Sequence, residues 1–294
     1  MTLTYPIQRL RAYINWIYFY HAWGFQPHFA GIANIHGCDA CRAMWLAHFP
    51  EHERGKAAEA MQLHKEAIRI LEEVSDNFTV RATFRLLKAN SEGDDIYIDG
   101  LRIPFLRQQQ RLDAQSPNLC LSDFIRPRSQ GIEDTIGVFA TSVTCSLETR
   151  YADDAYKSLL LQTLESRLAE AAAEKMHEYV RKEAWGYAPD EQLSIPELLS
   201  EKFQGIRPAI GYPAIPDQSI KFLLDKLLNL KEIGINLTEN GAMNPHASVS
   251  GFMFAHPAAR YFHIGKIGED QLHDYARRRQ LPITRMQQFL SSNL

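Results

Sequence analysis

The stretch Gln204-Gly205-Ile206-Arg207-Pro208-Ala209-Ile210-Gly211-Tyr212-Pro213-Ala214-Ile215-Pro216 decides how the rest of the chain is read. It holds three prolines and two glycines. Each proline removes a backbone donor and fixes φ, so neither a helix nor a strand interior tolerates that density. The spacing predicts a rigid, extended loop with exposed backbone groups. Arg207 sits at its entrance and Tyr212 in its middle. Such a loop suits a small ligand with a carboxylate and a flat ring. It equally suits an ordinary crossover, because proline and glycine punctuate loops in general.

Composition excludes several classes of function. The chain has 294 residues, 45% hydrophobic and 23% charged, close to soluble globular averages and ample for a buried core. A net charge of −3 gives no basic field for nucleic acid or an anionic membrane. No apolar run approaches a spanning helix, and the N-terminus lacks the apolar core of a signal peptide. Four cysteines, two of them close together, do not make a disulfide framework. A reducing cytoplasm is the expected compartment.

Working outward, residues 7–25 open with helical apolar spacing (Ile7, Leu10, Ile14, Ile17), overlapped by an aromatic cluster that reads mostly as core. Residues 26–55 read as irregular and hold His36, Cys38, Cys41, His48 and His52. Cys38 and Cys41 have zinc-ligand spacing, and the histidines four apart offer two more donors. The interval from Cys41 to His48 is short for a zinc finger, and the expectation is a metal-free segment of solvated histidines and inert thiols. Residues 56–74 are predicted helical and 78–87 a strand, followed by a polar turn over Ala89 to Asp95. Ile96 and Ile98, then Ile103 and Phe105 across a turn at Gly100, continue as strands. Residues 117–126 read as a loop with a short apolar segment. The β-branched run 134–145 reads as a buried strand.

Residues 152–184 are expected to form the longest helix, with a broad apolar face from Leu160 to Met176. Glu170, Glu174 and His177 make one polar stripe on it, either a solvated face or a ligand-facing one. Ser194 with Glu197 is a capping box for a short helix reaching Phe203. Asp217 can cap a helix through Leu230. Ala247 to Phe254 and Tyr261 to Ile267 read as strands, and 270–278 and 283–289 as closing helices. No Ser/His/Asp arrangement and no phosphate-cradling glycine loop stands out, so no catalytic nucleophile is expected from the chain itself.

Arg207-Pro-Ala-Ile-Gly-Tyr-Pro213 resembles the RPAxGYP signature of the activation domain of cobalamin-dependent methionine synthase. Leu237 to Gly251 is similar to that family's LTES-AM-P-ASVSG. His256-Pro257, Tyr261-Phe262, Asp270-Gln271 and Asp274 to Arg277 resemble its ending, and Ala89-Asn90, Gly93 to Ile96, Leu106 to Gln109 and Leu119 to Phe124 also fit. The resemblance runs from about residue 80 to the C-terminus. It is looser before that, where Tyr13 to Phe19 is similar to the family's YIDWTPFF with Asn15 in place of its aspartate.

The resemblance implies an α+β fold, a single domain over 1–294 with a curved, mainly antiparallel sheet and packed helices, residues 1–75 being its mostly helical N-terminal part. It implies binding of S-adenosylmethionine and methyl transfer that reactivates cob(II)alamin, as a methyltransferase module rather than the homocysteine-methylating site. The cobalamin would be carried by a partner domain, with a flavodoxin-like reductant and no nucleic acid or membrane. The implied ligand contacts are Asn15, Glu170, Arg207, Ala209, Gly211, Tyr212, Tyr261 and Phe262. Arg207 would pair with the carboxylate, backbone groups at Ala209, Gly211 and Tyr212 would read adenine, and Tyr261 and Phe262 would border the ligand. The alternative is an S-adenosylmethionine-binding or regulatory protein that kept the fold without the reactivation role. Asn15 and the unfamiliar 26–55 segment lean toward it, and the intact central loop leans against it.

Overall fold

The computed structural model describes residues 1–110, 116–146 and 151–294. The organising element is a six-stranded antiparallel sheet. It contains β1 (Thr2–Tyr5), β2 (Phe78–Glu92), β3 (Asp95–Ile98), β4 (Leu101–Pro104), β5 (Asp134–Cys145) and, later in the chain, β8 (Ser248–Met253), in the order β4-β3-β2-β5-β8. The 15-residue β2 is the spine. One edge pairs with β1 around Val80 and with β3 around Ser91. The other edge pairs with β5 from Phe78↔Cys145 to Ala89↔Asp134. The polar stretch 89–92 therefore belongs to the strand, and the turn is confined to Gly93 and Asp94.

Both faces of the sheet are covered, which explains why β5 reads as a continuous apolar run rather than an alternation. Val80, Ala82, Phe84, Phe139, Val143, Val249 and Met253 face one core. Leu87, Ala89, Ile136, Val138, Ala140, Phe252 and Phe254 face the other. The parity is constant along each strand, as a period of two requires.

The first core is closed by α1 (Ile7–Leu10), α2 (Trp16–Ala22), α4 (Glu51–Glu73) and α5 (Ala155–Tyr179). On α4, Ala57, Ala60, Leu63, Ala67, Ile70 and Leu71 make the buried stripe. On α5, Leu160, Leu164, Leu168, Ala172 and Met176 do so, and the Asp154 carboxylate caps the helix by accepting the Lys157 N–H at 3.0 Å. Truncating Leu164, fully buried here, would cost about 2–5 kcal/mol. Thr141 Oγ1 donates to the Ala169 carbonyl at 3.0 Å and ties α5 to β5. A π-helical turn over Val180–Ala184 ends α5, with Arg181 buried against Glu191 at 2.6 Å.

The second core is closed by α7 (Ile220–Leu228), α8 (Glu269–Arg279) and α9 (Ile283–Phe289). A small ladder joins β6 (Asn236–Leu237) to β7 (Met243–Asn244).

Four further expectations from the sequence give way. Residues 26–55 are not irregular: a 3-10 turn spans Pro27–Asn34, α3 spans Asp39–Ala47, and α4 begins at Glu51. The capping box at Ser194 and Glu197 is present, but its helix α6 (Ile195–Leu199) stops before Phe203. Asp217 does not cap α7, whose N-cap is Ser219. Its carboxylate instead accepts the Ser219 N–H and the hydroxyl of Tyr275 on α8 at 2.8 Å each. Residues 261–267 are not a strand. The Ile264 N–H goes to Pro213 and the Ile267 N–H to Asn293, so no ladder forms. No described helix is long and apolar enough to cross a membrane.

Candidate functional site

The proline-rich loop lies against β8. Ile206 pairs with Phe254 and Ala209 with Gly251 as isolated antiparallel bridges. Glycine is required at Gly251, because a Cβ there would run into the Pro208 carbonyl oxygen and the Ala209 Cα. The loop is thus a fixed wall, buried from Gly205 to Ile210.

That wall borders a cavity of about 330 Å³. Helix α5 contributes Arg167, Glu170 and Glu174, the segment before α2 contributes Tyr13 and Asn15, and α2 adds Tyr18. Leu199 of α6 and Glu201 just after it follow, with Arg207 to Ala209 and Tyr212 to Ala214 from the loop, and Tyr261 to His263 from the segment after β8. Seven of the eight residues singled out from sequence line this one cavity: Asn15, Glu170, Arg207, Ala209, Tyr212, Tyr261 and Phe262. Gly211 is not among the lining residues. Its φ of +96° turns the chain and its N–H donates to the Ile215 carbonyl at 2.7 Å.

The side chain of Arg207 is 9% exposed, and its Nη2 donates to Glu174 Oε1 at 2.5 Å. Its Nε is buried with no partner. Burial opposes the charged form, but Glu174, Tyr261 and Glu170 more than reverse this and hold the guanidinium protonated. The Tyr261 hydroxyl accepts the Arg207 backbone N–H at 3.0 Å, and burial raises that phenol to about 12. Tyr212, half exposed, donates to Glu170 at 2.5 Å. The polar stripe on α5 is therefore turned inward: Glu170 meets Tyr212, Glu174 meets Arg207, and His177 is buried. Burial, then the Arg181 and Arg207 charges, drive the His177 ring well below the usual imidazole range, so it is neutral.

Backbone reading of a ligand ring is more restricted than the loop sequence suggests. The Gly211 and Tyr212 N–H groups bond within the turn, Tyr212 to the Ala209 carbonyl at 3.3 Å. Among the described residues the Ala209 N–H takes no partner. Asn15 is the N-cap of α2, its Oδ1 accepting the Ile17 N–H at 3.1 Å. Phe262 is 5% exposed, its ring edge-on to Phe124 in the second core.

Sequence reasoning left Glu174 and Glu201 out of the site. Glu174 was visible in the α5 stripe, but nothing in the sequence showed that Arg207 faces it. Glu201 carries no local signal. Its carboxyl is raised by burial and by Glu174, with Arg207 opposing. The lining holds three carboxylates (Glu170, Glu174, Glu201) and two guanidinium groups (Arg167, Arg207), leaving one net negative charge. This arrangement suits a zwitterion with one extra positive charge.

Elsewhere, His36, Cys38 and Cys41 cluster at the start of α3. The His36 ring, then the Cys41 thiol, pull Cys38 down to about 7. His48 and His52 do not join them. His48 Nδ1 bonds the Met44 carbonyl at 2.7 Å, and His52 lies 4.0 Å from Glu53.

A family model for the vitamin B12 dependent methionine synthase activation domain matches residues 6–280. Among solved structures, the MetH reactivation domain bound to AdoHcy superposes with a TM-score of 0.84 at 37% sequence identity. That match covers 100% of this chain and 90% of the other.

Proposed function

The chain belongs to the vitamin B12-dependent methionine synthase activation domain family, and on that premise we propose that it binds S-adenosylmethionine in the cavity beside Arg207. It presents the methyl group for reductive methylation of cob(II)alamin held by the cobalamin domain of methionine synthase. All of residues 1–294 act as one activation domain, the first 75 being its mostly helical N-terminal part. The observation that carries this reading is Arg207, which lines a cavity with one net negative charge and whose buried Nε has no partner. A buried donor without a partner is costly, and a ligand carboxylate satisfies it.

Arg207 accepts the carboxylate while Glu174, already 2.5 Å away, holds the guanidinium in place. Glu201 and Glu174 face the ammonium. Glu170, linked to Tyr212, receives the ribose or adenine amino group. The Ala209 N–H and the rings of Tyr212 and Tyr261 border the adenine and sulfonium, where an aromatic face favours a cation. Bound S-adenosylmethionine would supply the methyl group to cobalamin held by the partner domain, its C–S bond breaking to leave S-adenosylhomocysteine, with one electron to come from a flavodoxin-class reductant. The chain's part is binding and orientation. Tyr18 lines the cavity and is 60% exposed, so a partner domain would approach from its side.

A second reading, a binding or regulatory protein without the reactivation role, is favoured by Asn15, whose oxygen is engaged in capping. One assay separates the two. The chain is mixed with a cobalamin domain loaded with cob(II)alamin, S-adenosylmethionine and reduced flavodoxin, and methylcobalamin is followed by absorbance. Reactivation requires methylcobalamin that depends on both the chain and S-adenosylmethionine. Binding without methylcobalamin would leave only the second reading.

A further inference from the structure

The segment between the 3-10 turn Pro27–Asn34 and α3 carries chemistry that the cavity does not use. His36, Cys38 and Cys41 each offer one ligand atom, and these atoms all lie within 4.8 Å of one another. Cys38 is the N-cap of α3 and its Sγ accepts the Cys41 N–H at 3.4 Å, so the helix start fixes both thiols on one side of its first turn. The sequence expectation of a metal-free segment weighed these thiols with His48 and His52. The structure supplies His36 instead.

Zinc bonds of about 2.3 Å to sulfur and about 2.0 Å to imidazole nitrogen put tetrahedral ligand atoms roughly 3.3–3.8 Å apart. A closure of about 1 Å, well within the reach of exposed side chains, brings all three onto one ion. Two thiolates and an imidazole are a soft donor set that selects zinc over magnesium or calcium. We propose that His36, Cys38 and Cys41 bind one zinc ion, with a fourth position left for water or a donor from another domain. The trio is at the surface, so that position is open to solvent. The ion would pin the start of α3 to the preceding loop.

The test uses the full chain, reduced and desalted without oxygen. Cobalt(II) is added as a spectroscopic probe and then displaced by zinc, and zinc affinity is read by competition with a chromophoric chelator. The expected result is one ion per chain, with thiolate-to-cobalt charge-transfer absorption that zinc abolishes. His36→Ala and Cys41→Ser should each weaken zinc binding by at least about tenfold, while His48→Ala should not. S-adenosylmethionine binding by the variants reports that they remain folded. In the unmutated chain, stoichiometric zinc should protect Cys38 and Cys41 from alkylation. Absence of the absorption, affinity indifferent to both substitutions, or no protection of the thiols would overturn the proposal. So would a Cys38–Cys41 disulfide that forms in the presence of stoichiometric zinc.

Discussion

Replacing Arg207 by lysine tests the site most informatively, because the structure gives the arginine two separable roles. Its Nη2 holds Glu174 at 2.5 Å in a setting where the two side chains are 9% and 13% exposed. Its Nε is buried without a partner. Arg207→Ala removes both roles and leaves Glu174 without its cation, which costs about 3–5 kcal/mol of stability when a buried pair is broken. The slight exposure of Glu174 places the cost near the low end. Arg207→Lys keeps the charge beside Glu174 but loses the planar fork. The unfolding midpoint should move little, while the ligand carboxylate loses a charge-assisted bond of about 1.5–3 kcal/mol. That is about a ten- to hundredfold weaker affinity for S-adenosylmethionine. Calorimetry on both variants, with thermal unfolding in parallel, reads the two roles apart. A lysine variant that binds as tightly as the parent would refute the placement of the carboxylate on Arg207.

Three further substitutions probe the surroundings. Asn15→Asp adds a second oxygen and a charge, so one oxygen caps α2 and the other faces the ammonium; binding should tighten several-fold, roughly 1 kcal/mol, and less so at high salt. Unchanged or weaker binding would mean that Asn15 does not touch the ligand or that a neighbouring glutamate already supplies the charge. Glu201 has a raised carboxyl in the free chain, and a cationic ligand pulls it back down. Affinity should therefore rise with pH through the acid range up to the free-chain value of Glu201 and then level off. Glu201→Gln should flatten that rise, and an unaltered profile would exclude Glu201. His64 is lowered to about 4 from 6.5, first by burial and then by Arg42 and Arg11. Its folded form binds fewer protons than the unfolded chain between those values, so stability is full above 6.5 and is lost as pH falls toward 4. His64→Phe, which can keep an edge contact to Trp16, should reduce that acid slope in denaturant titrations; an unchanged slope would place its origin elsewhere, His177 first.

Much of this architecture is legible where local signals agree with tertiary context. The β-branched run at 134–145 became β5 with the same bounds, because a strand covered on both faces needs no alternation. The capping box at Ser194 and the apolar stripe on α5 were equally plain. Residues 261–267 misled because their apolar content serves the second core while their backbone bonds go to separate segments. Helix α3 was hidden because none of its residues is fully buried and only Trp45 and Leu46, partly exposed, pack against the first core. In the site, the loop and Arg207 stood out through proline, glycine and resemblance. The Glu174 ion pair could not be read, since 33 residues separate it from Arg207. Nor could the engagement of Asn15 and Gly211 in local hydrogen bonds, because residue type alone does not say which acceptor or donor the fold consumes.

The central claim is that this chain binds S-adenosylmethionine at the Arg207 cavity, and equilibrium dialysis against methyl-labelled S-adenosylmethionine tests it directly. The expected result is saturable retention approaching one molecule per chain, displaced by unlabelled S-adenosylhomocysteine and weakened about ten- to hundredfold in Arg207→Lys. No retention above buffer, or saturable retention that Arg207→Lys leaves intact, would contradict it.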